Sequence, residues 1–296
     1  MTHLTEKAKA VSALPLKERV AYMNNMWIGY TQAVNILEGL QELLDHPPSH
    51  RMPGMLIVGA GNNGKSHILN HFLKRNKAFV SKEDDLVKLP IVYVQMPASP
   101  SEKDFYIEIL DAVGAPYKIS DRPDRRAQLV LTSLRSLNVK ILMIDEFHHL
   151  LAGNSTKQRQ LLNMLKVLSN KLGISLVGAG TKEAFRAIQT DPQLASRFTP
   201  YVLSKWKMDE DDEYLSLLAS FEKLLPLQKP SELTDEKIAL KILTMTDRTI
   251  GQISSLLKLC ARHAISNGTE SITLKTLNEV KWKTPADIDK EQRMEI

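Results

Sequence analysis

A single cysteine, Cys260, occurs in the 296 residues, so no intramolecular disulfide can form and a reducing, cytoplasmic setting is expected. It lies among apolar residues at helical spacing, as a buried structural thiol does. No run of 18 apolar residues occurs, so no membrane span is expected. The first twenty residues carry scattered charge and no apolar stretch, which does not read as a secretory signal. Internal repeats and low-complexity tracts are lacking, as are zinc-ligand spacings, a basic zipper and a helix-turn-helix pattern. The common base-reading modules are thereby set aside. Charge of one sign is scarce too: 39 Lys and Arg against 34 Asp and Glu leave +5, which permits a nucleic-acid partner without demanding one.

What is present is an ordinary globular composition, 43% hydrophobic and 25% charged. Helical patterns at about 16–27 and 30–45 stop at His46-Pro47-Pro48, where proline removes a donor and restricts the residue before it. Short apolar runs then alternate with amphipathic segments. The runs are Met55–Val58, Ile91–Val94, Ile141–Ile144 and Ile174–Val177, with a fifth short strand at Tyr201–Leu203. Such runs predict parallel strands covered on both faces, with helices as crossovers. After residue 205 the acidic run Asp209–Glu213 opens a helix, where negative charge suits the dipole, and helical periodicity recurs at 215–225, 235–246 and 250–265. The expected organisation is an N-terminal helical segment over 1–53, an α/β core over 54–205 and a small all-helical domain over 206–283. A polar tail over 284–296 is expected to fray.

Gly59-Ala60-Gly61-Asn62-Asn63-Gly64-Lys65-Ser66 follows an apolar strand and opens a helix from His67 to Lys77, matching the phosphate-binding loop in sequence and in context. Its backbone N–H groups, at the positive end of a helix, suit phosphate oxygens. Lys65 would reach the β- and γ-oxygens, Ser66 would ligate Mg²⁺, and the loop with His67 would hold ATP. The run Lys140-Ile-Leu-Met-Ile-Asp145-Glu146 ends in two carboxylates at the strand edge where ligands of open α/β sheets bind. There Asp145 would hold Mg²⁺ through water and Glu146 would polarise the attacking water, which implies hydrolysis. His148 and His149 follow; as adjacent residues they point apart and do not by themselves form a metal pair.

With the strand ending in Gly178-Ala179-Gly180-Thr181, with Ser196-Arg197-Phe198 beyond it and with a helical lid, this order resembles an AAA+ P-loop NTPase: a mostly parallel five-stranded sheet followed by a small helical domain. Within that class it is most similar to the TniB family of transposition proteins, relatives of TnsC, over roughly residues 15–280. The resemblance implies that Thr181 is the polar sensor at the γ-phosphate or lytic water. A helix N-cap is the alternative for Thr181. It also implies that Arg197 is an arginine finger presented to a neighbouring subunit's ATP, a role its planar cationic fork suits; an ordinary surface arginine is the alternative. Trp27-Ile28-Gly29-Tyr30 resembles the adenine-packing segment, with Ile28 against the base, or is plain core. The sequence departs from relatives at Gln252, in Thr249-Ile250-Gly251-Gln252-Ile253, where they often carry an arginine. Glutamine at the nucleotide cannot neutralise phosphate, which points to slow hydrolysis with strong ATP-dependent assembly.

Residues 118–140 hold six basic side chains against two acids, and 156–171 hold four against none. Such runs are solvated helix faces or phosphate contacts. In resembling ATPases the loops after strand two line a ring or spiral around duplex DNA, here Gln95–Lys103 and Ala115–Arg126. Lys103, Lys118, Ser120, Arg122, Arg125 and Arg126 are therefore the candidate contacts, of a kind that gives salt-sensitive, sequence-tolerant affinity. The expected function is an ATP-dependent, duplex-DNA-binding regulator of transposition. It forms a homo-oligomeric ring or filament with ATP between subunits, recruits a TniA- or TnsB-like transposase and a TniQ-like targeting protein, and disassembles on hydrolysis. The alternatives are a helicase loader or protein remodeller of the IstB or DnaC type, and a non-enzymatic nucleotide switch.

Overall fold

The computed structural model describes residues 2–99, 101–152, 154–208 and 212–284. They divide into two compact units, one between residues 32 and 204, the other of the described residues before 32 and after 204.

The first unit is built on five parallel strands: β1 (Gly54–Gly59), β2 (Ile91–Gln95), β3 (Ile141–Asp145), β4 (Ser175–Gly180) and β5 (Phe198–Leu203). Their order across the sheet is β2-β3-β4-β1-β5. The three central strands are buried at every residue, whereas the edge strands β2 and β5 are partly exposed. Full burial on both faces is why the central runs are nearly free of polar residues. From β1 the chain departs toward β2 and from β4 toward β5, in opposite directions across the sheet. Neighbouring loops therefore part at the C-terminal ends of β1 and β4 and leave a crevice there.

The helices of this unit are, in chain order after α1 and α2 of the other, α3 (Thr31–Asp45), α4 (Lys65–Arg75), α5 (Glu102–Ala112), α6 (Pro123–Ser136), α7 (Ser155–Leu172), α8 (Lys182–Gln189) and α9 (Pro192–Ala195). A 3₁₀ turn covers Phe147–Leu151, and a two-residue hairpin pairs Phe79–Val80 with Val87–Lys88. Apolar side chains of α5, α6, α7 and α8 cover one face of the sheet, with Leu56, Val94, Leu142, Ile144 and Leu176 beneath them. Phe147, fully buried, lies against β4 at Gly178. A Cβ there would come within 2.9 Å of the ring, so glycine is what lets the turn after β3 sit this close.

The second unit contains α1 (Glu6–Ser12), α2 (Leu16–Asn25), α10 (Glu213–Leu224), α11 (Glu236–Met245), α12 (Ile250–Ser266) and α13 (Leu274–Glu279). Met23, Met26, Ile28, Trp206, Tyr214, Phe221, Leu256 and Cys260 belong to its core. Burial pushes the Cys260 thiol up to about 12, so it stays protonated. Arg19, on α2, is 3% exposed. It donates to the Pro226 carbonyl and pairs with Glu270. The segment expected as one N-terminal unit over 1–53 is thus divided: α1 and α2 fold with the C-terminal helices, and all but the first residue of α3 folds with the sheet. Of the acidic run expected to open a helix, Asp209–Asp211 lie outside the described residues, as does the tail over 285–296. Asp212, with φ +53°, caps α10 without a side-chain bond, so only Glu213 stands in the first turn.

Candidate nucleotide site

The phosphate loop leaves β1 at Gly59 and enters α4 at Lys65. Asn62 (φ +57°) and Gly64 (φ +84°) both take the left-handed conformation. The space beside Gly61 is open, whereas a Cβ on Gly59 would meet the Leu203 side chain at 3.0 Å. Asn63 is buried, and its side-chain amide donates to the Leu203 carbonyl at 2.8 Å and to the Ser204 carbonyl at 3.3 Å. Its side chain thus ties the loop to the end of β5. The ammonium of Lys65 bridges the carbonyls of Gly59 (2.9 Å) and Ala60 (2.8 Å). Burial lowers its pKa, and the charges of Glu146 and Asp145 oppose that shift. Ser66 and His67 occupy the same first turn of α4, which contains no acid.

Asp145, 1% exposed, ends β3. One carboxylate oxygen accepts the Tyr93 hydroxyl at 2.8 Å and the other accepts the Glu146 N–H at 2.8 Å. Burial and then the Asp145 hydrogen bond raise the Tyr93 pKa far above its usual value, so the phenol remains a donor. Glu146 turns the chain sharply at φ +52°, a conformation uncommon for a residue with a side chain. Beyond it, the His148 and His149 rings lie 4.5 Å apart, centroid to centroid. The two imidazoles were expected to point apart; the tight 3₁₀ turn brings them together. His149 Nδ1 lies 3.0 Å from the Met96 carbonyl.

Thr181 follows β4, whose Gly180 pairs with Val58 of β1 and whose Gly178 pairs with Ile144 of β3. It stands at the start of α8 but makes no side-chain cap to the helix backbone; its hydroxyl bonds to the Glu183 carboxylate. The loop residues Gly59–His67, Asp145, Glu146 and Thr181 therefore gather at one edge of the sheet.

Arg197 does not join them. It precedes β5, and its carbonyl accepts the Gly54 N–H at the opposite end of β1. At about 3.3 Å per strand residue, six residues place it about 17 Å from its own phosphate loop. Its guanidinium donates to Asn170 at 2.7 Å, while Nε is buried without a partner. Burial, then the neighbouring Arg51, lowers its pKa.

Ile28 and Gln252 belong to the helical unit and are packed inward. Ile28 is part of its apolar core. Gln252, 4% exposed, accepts the Asp247 N–H at 2.8 Å and donates to the Asp247 carboxylate at 2.7 Å. Both ends of the amide, expected at a nucleotide, are thus engaged by Asp247 in the turn before α12.

Of the candidate DNA contacts, Lys103, Lys118, Ser120, Arg122 and Arg125 are exposed around α5, the connection after it and the start of α6. Arg125 also pairs with Asp121 at 3.2 Å. Arg126 is only 2% exposed, and its guanidinium donates to the Ile119 carbonyl. It holds the connection from beneath and is not a surface contact. Sequence reasoning missed both this burial and the role of Tyr93. The hydroxyl of Tyr93 within the apolar run Ile91–Val94 was the available signal.

A parallel sheet in this order, with a glycine-rich loop after β1 and an acidic pair after β3, defines the AAA+ P-loop ATPase class. Solved structures share the fold. The Aeropyrum pernix ORC2 protein, in its ADPNP–ADP complexes, matches with a TM-score of 0.59 at 17% identity, over 88% of this chain and 70% of that one. The Aeropyrum pernix ORC1 protein in complex with DNA matches with a TM-score of 0.53 at 14% identity, over 88% and 67%. The model of the family described as bacterial TniB protein matches residues 19–208, well over half of the sequence, and the chain belongs to that family. A stretch of 123 residues, 41% of the chain, is 26% identical to the ATP-dependent Clp protease ATP-binding subunit ClpE of Bacillus subtilis (strain 168). The match covers 18% of ClpE, so the chain spans less than a fifth of that relative's length. No helix among the described residues is long and apolar enough to cross a membrane.

Proposed function

We propose that the chain is an ATP-dependent, sequence-tolerant duplex-DNA-binding regulator of transposition that works in the cytoplasm. The observation that carries this reading is the gathering of Lys65, Asp145, Glu146 and Thr181 at one sheet edge in a TniB-family chain. The residues fit ATP and Mg²⁺: the open space beside Gly61 lets the loop approach phosphate, and Ser66 and Asp145 offer the hard oxygen donors that Mg²⁺ takes. When bound, ATP with Mg²⁺ supplies a phosphoanhydride whose charge is already partly neutralised.

The chain's own residues do the rest. Lys65 leaves the Gly59 and Ala60 carbonyls for phosphate oxygens, Asp145 is held in one orientation by its two donors, and Glu146 orients and polarises the attacking water. Thr181 offers a hydroxyl between the loop and the acidic pair. Arg197, at the far end of β1 from its own loop, serves a neighbouring subunit's site, which makes nucleotide a condition of assembly. Lys103, Lys118, Ser120, Arg122 and Arg125 meet DNA phosphates in that oligomer, which recruits the transposase and a targeting protein. Arrangement of a neighbour's arginine at the nucleotide raises hydrolysis, and loss of γ-phosphate loosens the assembly.

The test is duplex binding by fluorescence anisotropy with ATP, ADP or no nucleotide across a salt series. Tight cooperative binding with ATP only, steeply weakened by salt and abolished in Lys65→Ala, is expected. Binding that ignores nucleotide, or no binding, contradicts the reading. That result would favour an ATP-driven protein loader or remodeller, the reading that the local likeness to ClpE supports.

A further inference from the structure

Glu146, His148 and His149 fall within four consecutive residues, and one donor atom of each lies within 4.8 Å of the others. Two details make this a shaped cluster. His149 Nδ1 sits 3.0 Å from the Met96 carbonyl, and a carbonyl can only accept. That nitrogen therefore carries the proton, and the lone pair of the neutral ring is on Nε2. A backbone carbonyl that fixes tautomer and ring orientation is the usual outer partner of a metal-bound histidine. His148 Nδ1 is buried without a hydrogen-bond partner, yet lies 3.3 Å from a Glu146 carboxylate oxygen. Its contact with the acid lacks the alignment of a hydrogen bond, and a cation between the two would satisfy both. The turn is also held close to β4: a Cβ on Gly180 would meet the His148 N–H nitrogen at 3.1 Å and Nδ1 at 3.5 Å.

The geometry points to a regulatory site for a borderline divalent transition ion, zinc foremost, formed by Glu146, His148 and His149. Two imidazoles and one carboxylate are a donor set suited to zinc and poorly matched to Mg²⁺, which prefers oxygen alone. Asp145 and Ser66 are not part of it, so Mg²⁺ with nucleotide does not compete for the same donors. Bound zinc would fix Glu146 against the histidines and stop it from acting on water, slowing hydrolysis while leaving ATP binding intact. This consequence rests on the role of Glu146 proposed above; the site itself does not.

The experiment uses the full-length chain without a histidine tag. Zinc affinity is measured by competition with a chromophoric chelator, and Co²⁺ serves as a visible-spectrum probe of nitrogen and oxygen ligation. The expected result is one Zn²⁺ per chain in the micromolar range, weakened about tenfold or more in His148→Ala and in His149→Ala. Zinc at fixed Mg²⁺ slows ATP hydrolysis in the native chain and in neither variant. No binding at tens of micromolar, or affinity unchanged in both variants, overturns the site. If the native chain hydrolyses no ATP, the reading of Glu146 fails, while the Co²⁺ spectrum and its two variants still decide the metal site.

Discussion

Asp145 has both carboxylate oxygens engaged, by the Tyr93 hydroxyl and by the next residue's own N–H. Two donors hold this buried carboxylate in one orientation, which suits the Mg²⁺-water ligand proposed for it. Tyr93→Phe removes one donor from this buried acceptor. A loss of about 1–2 kcal/mol in thermal stability is expected, with several-fold weaker Mg²⁺-dependent ATP binding and little change in Mg²⁺-free affinity. Calorimetry and nucleotide titration with and without Mg²⁺ would check it; equal losses in both titrations would reduce Tyr93 to packing. At this scale the legible part of the site was the contiguous part. The loop from Gly59 to Ser66 and the pair Asp145-Glu146 carry their chemistry in neighbouring letters. Tyr93 lies 52 residues from its partner, and Gln252 is spent on Asp247 in a turn that spacing does not display. The burial of Arg126 was equally hidden, since basic residues at helical spacing read alike whether they face water or a loop's underside.

Among elements, the connection between α5 and α6 is the informative one. Ile119 at its crest is 81% exposed and flanked by Lys118 and Ser120, while Arg126 grips the Ile119 carbonyl from within. Lys118→Ala and Arg122→Ala should each weaken DNA binding uniformly across sequences and lower the salt slope by about one. Arg126→Ala should instead lower the melting temperature and keep the salt slope. Anisotropy and calorimetry on the three variants would separate the roles. In the helical unit, α2 is fastened by Arg19 to Pro226 and Glu270. Burial pushes the Glu270 carboxyl up, but hydrogen bonds from Arg19 and the Gln228 N–H, with the Arg19 and Lys229 charges, hold it below the usual range. Its folded value is thus lower than its unfolded value of about 4.3, so the stabilisation is complete above that pH and is lost as pH falls through the folded value. All three tryptophans, Trp27, Trp206 and Trp282, belong to this unit, so their fluorescence reports its unfolding. Denaturation midpoints should fall below about pH 4 in the native chain. Arg19→Ala should be weaker by about 3 kcal/mol at pH 6, with a flatter acid limb. An unchanged acid limb would contradict the pairing. The strands were legible because complete burial writes itself as apolar runs; the attachment of α1 and α2 to helices two hundred residues away was not, because nothing local encodes it.

At the scale of the whole molecule, the sheet separates Arg197 from the phosphate loop on which the proposed nucleotide site is built. Its C-terminal edge carries Lys65, Asp145, Glu146 and Thr181, and Arg197 stands at the N-terminal end of β5, beside the start of β1. In the role proposed for Arg197, the chain leaves its own site without that arginine, and a head-to-tail neighbour supplies it. The proposed ATP site is thus shared between subunits, so that nucleotide governs assembly on DNA. Mixing two inactive variants tests it most directly. Lys65→Ala lacks the phosphate lysine and keeps Arg197; Arg197→Ala keeps the loop. Each alone should show almost no DNA-stimulated ATP hydrolysis, and an equal mixture should recover about a quarter of native activity, since about one interface in four pairs an intact loop with an intact arginine. A mixture no more active than its components would contradict the shared site.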